Sequence, residues 1–200
     1  MKTDKTVGYA LIGATAVGLV SALAVSPVAL PMSSETTLEH IGYMLRVTAR
    51  MAFVMLLLAY VARPLGQLSG RTFGLMRLRR YLGLSSALSH TVHFGYVCAY
   101  LLVSSDPTNW ITVVFGGAAF GLMWVMALTS NNRAQRAMGL WWRRVHLVGM
   151  HYIWLIFMQT FVGVALVASS GWAQAMSVLG FAAQAVRASA WLSQRFSRTA

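Results

Sequence analysis

The sequence predicts an all-α membrane protein, a bundle of six transmembrane helices with both termini cytoplasmic. Three observations carry this. The 200-residue chain is 58% hydrophobic and 10% charged, with mean hydropathy +0.62, where a soluble domain has about 25% charged residues. Six apolar runs approach the ~20 residues needed to cross hydrocarbon. The basic residues gather at alternate breaks between those runs, as the positive-inside rule requires. The chain reads as a single integral membrane domain over residues 1–200.

The first span is Val7 to Leu30, behind a short charged start. Ala10, Ala14, Gly18 and Ala22 stand four apart, a small-residue face for close helix packing. Lys2 and Lys5 before an apolar run, with Ala22-Leu23-Ala24 inside it, also fit a signal peptide. The run continues past that point, which favours an uncleaved helix. Residues 31–35 form a polar break. The second span, Ile41 to Ala62, carries Arg46 and Arg50 on one face and is ended by Arg63-Pro64. An arginine-rich loop, Arg63 to Arg80, leads to the third span, Tyr81 to Val103. Residues 104–109 turn the chain into the fourth span, Trp110 to Leu128. The loop from Thr129 to Arg144 holds four arginines. The fifth span is Val145 to Val167, the sixth Trp172 to Leu192.

Of the 16 basic residues, 14 fall on the side of the termini; Arg46 and Arg50 are the others. The opposite breaks hold Glu35, Glu39 and Asp106. This pattern makes the +12 net charge a topology signal and excludes nucleic acid as the partner; the partner is the lipid bilayer. The lone cysteine, Cys98, allows no internal disulfide and reads as a small buried apolar residue.

Four of the five histidines lie within or at the edge of apolar spans. His90 and His93 share a face of the third span, and His146 and His151 lie in the fifth. Intramembrane ionisable groups are costly and mark function by default. Both spans run the same way through the membrane, so their histidines can face one another. Neutral imidazoles on facing helices suit a b-type haem. The bland alternative is that each histidine satisfies a polar group on a neighbouring helix. A proton relay would need acidic partners, and the spans contain none.

Arg46 is near enough to the outer surface to snorkel. Arg50 lies about 14 Å into its span at 1.5 Å per residue and needs a partner. A haem propionate would pair with it bidentately, with His40 assisting from the outer edge.

At this point a resemblance enters. RRYLGLSSALSHTVH, Arg79 to His93, resembles the third-span signature of the ferric-reductase-like transmembrane superfamily. LTSNNRAQRAMGLWWRRVH, Leu128 to His146, resembles its inner loop and the start of its fifth span, and RVTARMAFVMLLLAYVARPL fits its second. The likeness covers roughly residues 42–161. The family includes eukaryotic ferric reductases, NADPH oxidases and the haem-binding membrane subunit of the bacterial periplasmic methionine sulfoxide reductase system. The resemblance implies electron transfer across a bacterial-type inner membrane through haem b, from a cytoplasmic or quinol donor to an outer acceptor. It makes His93 and His146 the iron ligands.

Two-haem members carry a histidine pair in each of the third and fifth helices, 13 or 14 residues apart. Matching His93 to the outer third-span histidine puts the inner one at Arg79 or Arg80. Matching His146 to the inner fifth-span histidine puts the outer one at Gln159 or Thr160. Each pair has lost a member, so one haem is expected, with His90 and His151 as alternative ligands. Depth sharpens the choice. At about 1.5 Å per residue, His90 lies about 15 Å from Arg80, His151 about 10 Å from Arg144 and His146 about 3 Å. Depth favours His151 on the fifth span; the motif favours His146.

The chain ends eight residues after the sixth span and has no GxGxxG fingerprint. Electrons are therefore expected from a redox partner protein, a flavin or membrane quinol. The rival function is a non-haem membrane sensor or transport-associated protein with structural or metal-binding histidines.

Overall fold

The structure is a computed structural model that describes residues 2–26, 34–70, 74–107 and 109–196. The expected break at residues 31–33 lies outside the described residues, as do Arg71, Thr108 and Arg198. The described residues form α1 (Lys2–Ala24), α2 (Ser34–Ser69), α3 (Gly74–Val103), α4 (Trp110–Leu128), α5 (Asn132–Met138), α6 (Leu140–Ala168) and α7 (Gly171–Phe196). Six are long, and α5 is a short helix within the arginine loop. Four are long and apolar enough to cross a membrane by length and composition: Asp4–Ala24, Glu35–Ser69, Trp110–Leu128 and Leu140–Ala168. α3 and α7 match them in length but are more polar. His90, His93 and three buried serines dilute α3; Gln174, Gln184 and Arg187 dilute α7.

The elements start and stop for local reasons. Asn109 caps α4 by accepting from the Thr112 amide, and Asn131 caps α5 by accepting from Ala134. Gly139, at φ +52°, turns α5 into α6. Ser169 takes a left-handed conformation, φ 48°, between α6 and α7.

The expected stop at Arg63-Pro64 is not observed: α2 runs through Pro64 to Ser69. Proline lacks the N–H that would bond the carbonyl four residues back, here that of Tyr60. Arg187 of α7 takes over that carbonyl, donating Nη1 to Tyr60 O at 3.5 Å. Arg79 of α3 donates Nε to the adjacent Ala59 O at 3.2 Å. Two neighbouring helices thus satisfy α2 where it is weakened.

α2 is the most buried helix. Met44, Thr48, Ala52, Phe53, Leu56, Ala59 and Tyr60 lie on its inward side. It packs along α3 and α7; α3 packs on α4, α4 on α6, and α6 on α7, which closes a ring. α1 lies outside the ring against α3, with Tyr9 edge-on to Tyr81 at 5.5 Å. α3 approaches α2 closely because Ser85, Ser86 and Ser89 are small, and Ser86 Oγ donates to Ala52 O at 2.8 Å. A Cβ at Gly180 of α7 would overlap the Met158 sulfur of α6, so glycine there permits the ring to close. The backbones of α3 and α6 make no close approach.

The outer surface is apolar along much of its length. Leu102, Ile111, Leu166, Val167 and Val178 all point away from the bundle, as a lipid-facing surface does. Cys98, expected to be buried, lies on this outward side of α3. The inward face is taken by the serines and histidines, and a thiol is apolar enough for lipid. The Asp4–Arg77 ion pair and the Tyr9–Tyr81 contact place the start of α1 beside the start of α3. Arg187 reaches the same end of α2, so the two ends of the described chain share one end of the bundle.

Candidate functional site

The site is built inside the ring, where α3 and α6 stand apart. His90 and His93 project together from α3, as their spacing requires, with rings stacked at 5.3 Å. His90 bridges inward to two helices. Its ring lies 5.9 Å from Phe120 of α4 and 5.4 Å from Phe157 of α6, edge-on to the latter. Its Nδ1 is buried without a hydrogen-bond partner. An orphaned buried nitrogen costs about 1–3 kcal/mol, so this is an atom that a ligand would satisfy.

His93 is held differently. Thr48 of α2, fully buried, donates its hydroxyl proton to Met44 O at 2.6 Å. Its oxygen then accepts from His93 Nδ1–H at 3.1 Å. That network puts the proton on Nδ1 and the lone pair on Nε2, the tautomer that a metal-ligating histidine needs.

His146 and His151 take different sides of α6, as five residues and about 140° demand. His146 stacks on Trp142 at 4.0 Å. Its Nδ1 lies 3.0 Å from Trp142 O and its Nε2 3.2 Å from Met126 O of α4. A neutral imidazole has one N–H and can satisfy only one of these carbonyls. Nε2 must therefore leave Met126 to meet an iron. Arg79 of α3 lies within Coulombic range of His146. His151 turns instead towards α2 and α7. Its ring meets Tyr60 edge-on at 5.5 Å and its Nδ1 donates to Leu147 O at 2.8 Å.

The structure brings His90 and His93 together and keeps His146 and His151 away from them. The residue of α6 that touches His90 is Phe157. It lies eleven residues beyond His146 and six beyond His151, or about 16 Å and about 9 Å along the axis at 1.5 Å per residue. On α2, the partners Thr48 (of His93) and Tyr60 (of His151) are about 18 Å apart by the same rise. The histidines therefore occupy two levels inside one bundle. Among the described residues, no group of three or more histidine, cysteine or carboxylate side chains stands together as a cage for a bare metal ion.

Arg50 is half-buried and lies over the Trp172 ring at 5.1 Å. The indole supplies a cation–π contact but no negative charge. Arg46 is exposed one turn away. His40 bridges Ser26 and Tyr96 at the same end, with Nε2 3.3 Å from the Tyr96 hydroxyl.

Sequence reasoning passed over Thr48 and Tyr60, and took Phe157 as packing near His151, whereas it meets His90. Thr48 is the one serine or threonine of the second span, a usable signal. For Tyr60 the signal was Pro64 four residues on.

Over 124 aligned residues the chain is 31% identical to the protein-methionine-sulfoxide reductase heme-binding subunit MsrQ of Yersinia pseudotuberculosis, an alignment covering 54% of this chain and 61% of that one. The protein of the same name from Yersinia pestis matches at 31% identity over 124 residues, 54% of this chain and 60% of its own. The chain thus spans about three fifths of the length of these relatives. No family model matches the sequence, and no solved structure matches the fold. Over its matched part, this chain resembles the haem-binding membrane subunit MsrQ, in keeping with the motifs of its third and fifth spans.

Proposed function

We propose that this chain is an integral membrane haem b protein that carries electrons across a bacterial-type inner membrane. The direction proposed is from a cytoplasmic or quinol donor to an outer acceptor. By the name its relatives carry, the acceptor would be a protein-methionine-sulfoxide reductase. The observation that carries the reading is His93, an inward imidazole whose proton Thr48 holds on Nδ1, beside His90 with its orphaned nitrogen. The reading takes six spans with cytoplasmic termini, and the six long helices, the shared end of Lys2 and Phe196 and the one-sided basic residues support it.

The residues present fit a haem at two levels. At the outer level His93 would be the residue of α3 that holds it, with His90 the alternative. At the inner level His146 would be the residue of α6 that holds it, with Arg79 or Arg80 standing where two-haem members of the superfamily have a histidine. His151 is the alternative on α6, but it faces α7. One expected haem would then be held at one level, since His146 and the Phe157 that meets His90 stand about 16 Å apart along α6. Haem b supplies the one-electron chemistry when bound. The chain's own part is to orient imidazoles, to exclude water with Phe53, Phe120 and Phe157, and to offer cations. Arg50 would pair with a propionate by leaving or sharing Trp172, with Arg46 closer to the surface.

The test is a reduced-minus-oxidised spectrum of the purified chain with haem quantification. A b-type spectrum with about one haem per chain is expected. A colourless protein that cannot be loaded with haem would return the reading to the non-haem alternative.

A further inference from the structure

A cavity of about 350 Å³ lies between α6 and α7, on the far side of α6 from His146, and its walls are Leu147, His151, Gln184, Arg187, Ala188 and Trp191. It belongs to the end of the bundle that holds the termini. Leu147 is three residues beyond Arg144, and Trp191 is four residues before Arg195. Leu147 and Trp191 are exposed on the outer surface, so the cavity opens sideways, towards lipid.

Its polar wall is cationic and lacks an anion. Arg187 spends one N–H on Tyr60 O and lays its guanidinium 4.5 Å over the Tyr60 ring. Arginine has five N–H donors, so the Tyr60 carbonyl accounts for a small part of its capacity. Gln184 accepts from the Tyr60 hydroxyl through Oε1 at 2.5 Å, which turns its amide –NH₂ into the donor that remains. Arg79 and Arg63 lie within Coulombic range of Arg187 and add positive charge. The chain has four acidic residues. Asp4 pairs with Arg77, and Glu35, Glu39 and Asp106 belong to the other end. Among the described residues, Arg187 therefore has no carboxylate partner.

We propose that this cavity binds the phosphate of an anionic phospholipid from the inner leaflet. Arg187 and Gln184 hold the phosphate oxygens. Trp191 and Leu147 line the path of the glycerol and upper acyl chain. Basic pockets between transmembrane helices on the cytoplasmic side take such headgroups for the same electrostatic reason. The proposal rests on the membrane reading and its orientation, and is independent of haem.

The test uses the full chain in nanodiscs containing phosphatidylcholine brominated on its acyl chains, or phosphatidylglycerol brominated in the same way. Quenching of Trp191 is read as the difference between the wild type and Trp191→Phe. Phosphatidylglycerol should quench at about fivefold lower mole fraction, the preference that one near-surface arginine confers. Arg187→Gln should bring the two lipids to parity. Ala188→Phe, which fills the cavity and keeps Arg187, should do the same if the cavity is the site. Equal quenching by both lipids in the wild type would overturn the proposal, as would a preference that survives either substitution. Loss of the preference in millimolar inorganic phosphate would assign the site to a soluble phosphate ligand instead. Reporter fusions that put this end outside the cytoplasm would refute the orientation, a failure separate from the binding result.

Discussion

Thr48→Val tests the site at its most defined atom. The substitution keeps the shape of a fully buried side chain and deletes one oxygen. That oxygen does two things: it donates to Met44 O and accepts from His93 Nδ1–H. Losing the first costs little, because Met44 O retains its place in the helix ladder. Losing the second leaves the His93 ring with the Leu45 carbonyl as its acceptor, at a cost below the about 1–3 kcal/mol of a fully orphaned group. It also frees the imidazole to move its proton to Nε2, the nitrogen an iron needs. Removing the partner that orients a metal-binding histidine lowers affinity by about 10–100-fold, equivalent to about 1.4–2.8 kcal/mol. The assay is haem titration of the stripped protein followed at the Soret band, with thermal unfolding of the haem-free protein measured alongside. Thr48→Ser keeps the oxygen and should remain within a few-fold of wild type. In a His93→Ala background, Thr48→Val should have no further effect on haem affinity. Haem binding by Thr48→Val within twofold of the wild type would refute the reasoning, since His93 would then not be a ligand whose tautomer Thr48 sets.

If the chain holds one haem, His93→Ala and His146→Ala should differ, one abolishing the b-type spectrum and the other leaving it. Loss of the spectrum in both would mean that a single iron joins them, against the axial separation seen here. His151→Ala should keep the spectrum, and its loss would favour the depth argument over the motif. Reporter fusions at Ser69 and Asn132 should read cytoplasmic and at Ser34 and Asp106 external; a cytoplasmic Asp106 would sink the six-span arrangement. Gly8→Ala places a Cβ against the Tyr81 ring. Overpacking of about 1–3 kcal/mol should outweigh the helix-propensity gain of up to about 1 kcal/mol, loosening α1 from α3 and lowering the unfolding temperature. Tyr81→Ala in the same chain should recover part of that loss.

The all-helical architecture and the two histidine-bearing helices were legible in the amino-acid sequence, because each follows from local chemistry. Apolar runs bounded by charge give helix positions. His90 and His93 had to share a face at a spacing of three, and His146 and His151 had to diverge at five; the structure shows both. Helix ends were less legible. Arg63-Pro64 carries a stop signal, yet α2 continues because Arg187, 123 positions beyond Pro64 in the numbering, satisfies the carbonyl that Pro64 abandons. No local rule contains that partner. The relative depth of α3 and α6 was likewise beyond the sequence. Counting from Arg80 and Arg144 assumes that both helices enter the membrane at their last arginine, but α3 begins at Gly74 and α6 at Leu140. How far one helix slides against another is set by packing: Phe157 against His90 and Phe53, and Gly180 against Met158. These are contacts among four helices at once. The residue types that can hold a haem were thus decided by the chain's composition and spacing, while the levels at which they stand were decided by tertiary packing alone.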